Sequence, residues 1–167
     1  MTDNKNMTHS LVPINLIPVM WEQVIPMLKP AIDKSNGETN EEITKLDLMN
    51  GITMLVVSNV GDKIIAVNTL AVISFRTGKK SLSIPMSGGE DIGDGIKGFM
   101  DFLTEIAKTQ DCTAIRGMSI RKVDSKDAWV RTLNKYKTDD ESKWRVIHNI
   151  IECPIDGINK QIIKGDE

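Results

Sequence analysis

The alternation of hydrophobic and polar residues is clearest in the middle of the chain, where it predicts three consecutive strands. Residues 52–58 are apolar and rich in β-branched side chains, residues 63–75 form a longer run, and residues 80–86 alternate like a half-buried strand. Short polar turns that contain glycine separate the three runs. We therefore expect an antiparallel β-meander, in which Asn68 and Thr69 mark a bulge or a bend in the second strand.

Hydrophobic residues at helical spacing precede the meander. They share one face over residues 18–32, although Pro26 within this pattern predicts a kink or a break into two short pieces. Thr39 followed by Glu42 forms a capping box, which predicts that a second helix starts there and runs through Met49. The sequence therefore predicts two short helices before any strand.

A glycine-rich segment follows the third strand and leads into a third helix. Residues 88–95 have loop composition, apolar residues recur at helical spacing over residues 96–108, and residues 112–120 form another strand-like run. A strand, a turn, a helix and a strand make a βαβ unit, whose two strands should be parallel neighbours. The turn then faces the helix N-terminus, where backbone N–H groups and the helix dipole favour an anion. A cofactor phosphate, if one binds, should bind at this turn.

The remaining pattern completes a single domain over residues 13–153. It predicts a helix over residues 125–136 and a last strand over residues 144–153. The apolar residues expected to form the main core are Val56, Val72, Ile84, Phe99, Leu103, Ile106, Ile115, Trp129 and Leu133. We interpret residues 1–12 as a flexible N-terminal tail and residues 154–167 as a C-terminal tail. The expected fold class is α/β of the α+β kind, with a mixed central sheet of five to seven strands and helices on both faces.

Composition narrows the function classes. With 167 residues, 40% of them hydrophobic, the chain fits one globular domain, and its formal charge of -2 with scattered basic residues argues against a nucleic-acid partner. Cys112 and Cys153 lie in apolar runs, so we expect no disulfide framework, and with only His9 and His148 beside them we expect no metal site. No stretch approaches the roughly 20 apolar residues that cross a bilayer, so we expect no membrane partner. The oligomeric state stays open.

Several segments together resemble a known family. They are a helical opening with Trp21 and following prolines, the helix end at residues 47–51, the segment 99–112, and the last helix at residues 129–136. In their order they resemble the GNAT superfamily of acyl-CoA-dependent N-acetyltransferases, over residues 12–153. More narrowly, they are similar to divergent GNAT-like proteins of tailed bacteriophages. The resemblance implies a GNAT-like single domain.

The resemblance also implies where a cofactor would bind. Enzymes of this superfamily carry Gln or Arg, two residues, Gly, one residue, then Gly or Ala at the start of the central helix. Here Gly93 and Gly95 match the glycines, Lys97 follows, and Glu90 stands where the basic or amide residue is expected. The turn carries three carboxylates, Glu90, Asp91 and Asp94. Because only Lys97 offsets them locally, the turn should bind coenzyme A poorly unless some carboxylates point away. Alternatively, Asp91 or Asp94 caps the helix and the glycines only form the turn.

Candidate catalytic residues are few. Transfer to an amine needs a base for the ammonium and an acid for the departing thiolate. By the resemblance, Tyr136 matches the tyrosine acid of family enzymes, with a core residue as the alternative interpretation. The only candidates for a base near the central strands are Ser83 and Asn68. We interpret His148 as a surface or packing residue and Cys112 as a packing residue.

Two hypotheses follow. In the first, the chain is a structural or accessory phage protein with a degenerate acetyl-CoA site and no expected cofactor. It would work through contacts with other phage proteins, in the host cytoplasm or in the virion. In the alternative, it is an active N-acetyltransferase that uses acetyl-CoA to modify an amine on a host or phage molecule. The acidic turn and the lack of a clear base favour the first hypothesis.

Overall fold

The computed structural model describes residues 7–35, 37–90 and 92–117. These residues contain three helices, six strands and two short 3₁₀ turns. In chain order, the elements are β1 (Met7–Val12), a 3₁₀ turn (Ile14–Leu16), α1 (Ile17–Asp33), α2 (Glu41–Met49), β2 (Met54–Val60), β3 (Lys63–Ser74), β4 (Lys80–Ile84), β5 (Ser87–Gly89), a second 3₁₀ turn (Gly93–Gly95), α3 (Ile96–Thr109) and β6 (Ala114–Gly117).

The strands form one mixed sheet in the order β1-β2-β3-β4-β6, and β5 also pairs with β3. β2, β3 and β4 are antiparallel neighbours, which confirms the predicted meander. β4 and β6 run parallel, with Ser81 opposite Ala114 and Ile84 opposite Gly117, which confirms the predicted pairing of the strands on either side of the central helix. The expected fold class, a mixed sheet with helices, is therefore the observed one.

The first strand corrects the prediction of a flexible tail over residues 1–12. Met7–Val12 pairs antiparallel with β2, from Met7 opposite Val60 to Val12 opposite Leu55. The segment is too polar to be recognised as a strand, because only Val12 on it is buried. Its place is fixed by backbone pairing along the sheet edge, which composition does not report. A strand therefore precedes the two helices.

The first helix excludes one of the two outcomes predicted for Pro26, a break into two short pieces. α1 is one continuous helix of 17 residues, although Pro26 and Pro30 lie inside it. Each proline removes one backbone donor, yet the apolar stripe of the helix remains in register along its whole length. Its buried residues are Ile17, Trp21, Val24, Leu28 and Ile32. Burial of this stripe outweighs the lost hydrogen bonds.

The second helix starts with a different cap from the one predicted. Asn40 is the N-cap residue, and its side-chain oxygen accepts a 2.9 Å hydrogen bond from the backbone N–H of Ile43. Thr39 lies one residue earlier, where its hydroxyl is 3.1 Å from that of Thr44. The predicted capping by Thr39 is therefore wrong by one residue, because Asn is an equally strong N-cap residue.

Two hydrophobic cores lie on opposite faces of the sheet. On the α1 face, residues of α1 and α2 pack on alternate residues of the central strands, Leu55, Val57 and Val67. On the α3 face, the core consists of Val56, Leu70, Leu82, Phe99, Leu103, Ile106 and Ala107. This second core confirms the predicted burial of Val56, Phe99, Leu103 and Ile106, with Val72, Ile84 and Ile115 partly buried against it. The predicted core residues Trp129 and Leu133 lie outside the described residues.

None of the helices in the described part of the chain is both long and apolar enough to cross a membrane.

Candidate functional site

The strand that leads to the glycine turn is interrupted by a bulge. Ala71 on β3 pairs with Ser83 on β4, whereas Asn68 on β3 pairs with Ser87 on β5. Three residues, 84–86, therefore lie opposite two, 69–70, which defines a one-residue bulge. We predicted an irregularity at Asn68 and Thr69, and it lies on the partner strand opposite Thr69 and Leu70, whereas Asn68 is regularly paired with Ser87. The bulge begins directly after Ile84, the last residue of β4 paired with β6.

After the bulge, the chain passes very close to α1. A Cβ atom at Gly88 would collide with the backbone carbonyl of Met27, so only glycine lets the helix backbone and the strand backbone approach this closely. The next backbone contact is made by Glu90, whose N–H donates a 2.7 Å hydrogen bond to the Ile65 carbonyl. The segment between the bulge and the turn is thus held on one side by α1 and on the other by β3.

The glycine turn leads directly into α3, whose N-cap residue makes no side-chain cap hydrogen bond. Gly93 has φ of +43°, a backbone conformation that favours glycine, and Gly95 is the N-cap residue of α3. The N-cap of the 3₁₀ turn is Ile92, so neither cap position carries a polar side chain. Asp91 and the side chain of Asp94 lie outside the described residues, so capping by one of them stays a prediction. The first turn of α3 carries no acidic residue.

The charges around the turn are arranged differently from the expectation that Lys97 alone offsets three carboxylates. The Glu90 carboxylate lies 2.6 Å from Nζ of Lys63, at the start of β3. Lys97 instead pairs with Asp101 one helical turn further on, with 2.8 Å between Nζ and Oδ2. Both pairs are exposed, so each contributes little to stability. The consequence for the turn is that Glu90 is directed to a lysine of the sheet.

β1 contacts the glycine turn and the beginning of α3. The sequence did not predict this contact. A Cβ atom at Gly95 would lie 2.7 Å from Cε of Met7, so Met7 occupies the space that a larger residue would need. The His9 ring packs against Phe99 and Phe102 of α3, with ring centroids 5.4 Å and 6.0 Å apart. The beginning of α3 therefore rests on the first strand of the sheet.

His9 is a partly buried histidine held by one hydrogen bond. Its Nδ1 lies 2.9 Å from the hydroxyl of Ser58, which is fully buried. Its Nε2 is enclosed, and no partner among the described residues reaches it with good hydrogen-bond geometry. Burial lowers the pKa of His9, and the backbone of Gly95, which favours the protonated ring, offsets this only in part. The neutral ring is therefore the form that the fold favours.

His9 is too far from the parallel strand pair to act there as a base. β1 and β4 are separated by β2 and β3, and three strand spacings amount to about 14 Å. Its role is to support the turn. The sequence contains one signal for this strand that we did not use. Thr8 and Val12, on either side of His9 along the segment, are β-branched residues, which are common in strands, although the segment otherwise looks like a polar tail.

The two candidates for a base lie on opposite faces of the sheet. Asn68 is buried and pairs with Val56, a member of the α3-face core, so it shares that face. Ser83 is also buried, but it follows Leu82 of the same core and therefore faces the other way. The structure does not bring these two residues together. Cys112 packs against the α3-face core, as predicted, and burial raises the pKa of its thiol.

Of the predicted site residues, Gly93, Gly95 and Lys97 lie within the 3₁₀ turn and the first turn of α3. Tyr136, the predicted acid, and His148 lie outside the described residues. Lys63, which pairs with Glu90, was not singled out from the sequence, and Thr69 was singled out only as part of a bulge or bend. Their contacts depend on strand register, which a local pattern does not specify.

Comparison with known proteins identifies the fold class. No protein-family model matches the sequence, and no curated protein matches it. An aminoglycoside acetyltransferase from an uncultured soil metagenomic sample is 16% identical, with a TM-score of 0.64, over 92% of this chain and 100% of that one. A GNAT family acetyltransferase of Staphylococcus aureus is 14% identical, with a TM-score of 0.54, over 89% and 98% of the two chains.

A third solved structure was determined with acetyl-CoA. It is a predicted acetyltransferase from Clostridium acetobutylicum, 19% identical, with a TM-score of 0.51, over 85% of this chain and 96% of that one. The chain thus has a GNAT-like acetyltransferase fold. At these identities the likeness concerns the fold, and activity has to be argued from the residues.

Proposed function

We propose that the protein is an acyl-CoA-dependent N-acetyltransferase, which transfers an acetyl group from acetyl-CoA to an amine. The observation that carries this proposal is the path from the parallel pair of β4 and β6, through the bulge and the glycine turn, to the start of α3 with Gly95 as its N-cap residue. Fold neighbours named as acetyltransferases support it, including the one solved with acetyl-CoA. This is the alternative that the sequence left open.

The described residues of the turn fit a phosphate group. A helix N-terminus carries partial positive charge, and here the first turn holds Lys97 and no acidic residue. Gly93 and Gly95 would let the pyrophosphate of the cofactor approach the backbone closely, and Lys97 with the first turn of α3 would hold it, since the N–H of Gly95 already donates to the carbonyl of Ile92. Of the three carboxylates that led us to expect a degenerate site, that of Glu90 is directed to Lys63. The repulsion expected between Glu90 and a phosphate is thereby reduced.

The main contribution of the sheet to the reaction would be to position the two substrates. When bound, acetyl-CoA supplies the activated acetyl group as a thioester. In the transfer, the amine nitrogen loses a proton as its bond to the acetyl carbon forms, and the thiolate gains a proton as the carbon–sulfur bond breaks. Asn68 does not titrate, so it can orient a substrate through hydrogen bonds but cannot accept this proton. The proposed acid is Tyr136.

Binding is tested by calorimetry and thermal unfolding with acetyl-CoA. At a hundredfold excess over the dissociation constant, the ligand should stabilise the protein by about 2.7 kcal/mol. Turnover is tested by release of free coenzyme A thiol with a panel of amines that includes aminoglycosides, small primary amines and peptide N-termini. Absence of both binding heat and stabilisation at millimolar acetyl-CoA would contradict the proposal.

Charge variants test the role assigned to Lys63. Lys63→Ala releases the Glu90 carboxylate next to the turn, and a repulsion of about 1 kcal/mol would weaken acetyl-CoA binding about fivefold. Glu90→Gln should bind at least as well as the unchanged protein, and the double variant should recover the loss. Lys108→Ala is the matched control, since Lys108 pairs with Glu105 near the other end of α3 and should leave binding unchanged.

The hypothesis of a phage structural or accessory protein has no support among the comparisons, and no feature of the described residues favours it. It stays a prediction from the resemblance alone. Failure of acetyl-CoA binding would return it to first place.

A further inference from the structure

We propose that Thr69 is a positioning residue for acetyl-CoA binding, because it fixes the bulge that directs the chain toward the glycine turn. This inference rests on the proposed function and names a residue that the resemblance did not indicate. It is carried by a pair of hydrogen bonds at one point of the sheet.

The two hydrogen bonds hold Met86 from both of its backbone groups. The N–H of Thr69 donates to the carbonyl of Met86 over 2.9 Å, and the N–H of Met86 donates to Oγ1 of Thr69 over 3.1 Å. In a regular antiparallel pair, the second bond would go to a backbone carbonyl. Here a side-chain oxygen takes that place, so the bulge depends on the identity of residue 69.

The surroundings leave the bulge few alternatives. Thr69 is fully buried and Met86 is partly buried, so losing the Oγ1 acceptor would leave the N–H of Met86 without its partner in a largely shielded place. The preceding residue is Pro85, which has no N–H to donate. On the other side of the bulge, Gly88 lies against the Met27 carbonyl, so the strand cannot move toward α1. Thr69 is therefore the contact that sets the direction of the strand between two fixed points.

The bulge lies where the two parallel strands cease to be paired. Ile84 is the last residue of β4 opposite β6, and from Ser87 onward the chain pairs with β3 alone among the described residues. The segment after the bulge then continues to Glu90 and the turn. A small change in the backbone direction at Met86 would therefore also move the start of α3.

The test compares Thr69→Val, which keeps the shape but loses the acceptor, with Thr69→Ser, which keeps the acceptor. We expect acetyl-CoA binding, measured by calorimetry, to weaken at least fivefold in Thr69→Val and to stay within twofold in Thr69→Ser. Amide hydrogen exchange at Met86 should accelerate in Thr69→Val and stay slow in Thr69→Ser. Thr69→Ala is the second variant without the acceptor, should Thr69→Val fail to fold.

Asn40→Ala controls for a general loss of stability, since it removes a helix cap on a different element. Equal weakening in Asn40→Ala and Thr69→Val would overturn the positioning role. So would unchanged binding in Thr69→Val when the unchanged protein binds acetyl-CoA. If the unchanged protein does not bind acetyl-CoA at all, the proposed function itself fails and the positioning role falls with it.

Discussion

The two faces of the sheet differ in the contacts that their residues make. On the α1 face, the central strands contribute Leu55, Val57 and Val67 to an apolar core, and the helix lies on the sheet so closely that backbone meets backbone. On the α3 face, the apolar core is joined by buried Ser58 and Asn68. These polar residues lie toward the end of the sheet that carries the glycine turn. The α1 face also carries buried polar residues, Thr69 and Ser83. Both faces therefore support the candidate site, the α1 face through Thr69 and Gly88 and the α3 face through His9.

The largest expected effects come from deleting a buried leucine on either face. Leu28 on the α1 face and Leu103 on the α3 face are both fully buried. Replacing either with Ala should reduce the free energy of unfolding by about 2 to 5 kcal/mol, through lost burial and the cavity left behind. Urea denaturation measures both. A loss below about 0.5 kcal/mol for either variant would show that its face contributes little.

The close approach of α1 to the sheet gives the next largest effect. Gly88→Ala should destabilise the protein by about 1 to 3 kcal/mol, since the new methyl group meets the Met27 backbone, which cannot move independently. Gly117→Ala is the matched control, because among the described residues, its chain neighbours aside, no atom lies within 4 Å of its added Cβ. Equal stability of the two variants in urea would mean that α1 is not held this closely.

The free energy of unfolding should depend on pH because of His9, which lies on the α3 face. Because burial lowers the pKa of His9, the unfolded chain binds its proton more readily below the ordinary value of about 6.5. The contribution of neutral His9 to stability is therefore fully present above this pH and is lost as the pH falls toward the lowered value. His9→Gln should reduce the difference in unfolding free energy between pH 7.5 and pH 5.5. An identical pH profile in the variant would contradict this.

The smallest expected effect concerns the pair of Lys63 and Glu90. Both side chains are exposed, so Lys63→Ala should change the free energy of unfolding by less than about 0.5 kcal/mol. Any larger loss of acetyl-CoA affinity in this variant would then arise at the turn itself. A stability loss of about 1 kcal/mol or more would instead show that the pair is structural.

The fold could be predicted from sequence wherever the local pattern decides the structure. α3 has hydrophobic periodicity that matches its burial, the strands of the meander are continuous apolar runs with buried centres, and the parallel pair follows from the order strand, turn, helix, strand. The same reasoning failed for Met7–Val12, whose place depends on pairing with a distant strand, and for the predicted break at Pro26, where packing of the whole helix keeps it continuous.

The candidate site was predictable only in part, for the same reason. Gly93, Gly95 and Lys97 were found because they follow one another in the sequence. The support of the turn by His9, the pairing of Glu90 with Lys63 and the bonds of Thr69 to Met86 all join residues far apart in the chain. Contacts of this kind depend on strand register, and a local pattern contains no information about it.

The place of β1 in the sheet also has a consequence for the order of folding. During synthesis this strand leaves the ribosome before its partner β2, which follows only after both helices of the α1 layer, with Met7 opposite Val60. Closing such a long loop is entropically costly, so β1 should join the sheet late, after the local β2–β3 hairpin has formed. Until then the edge of β2 is open to pairing with another chain, which makes the nascent protein most prone to aggregation at this stage.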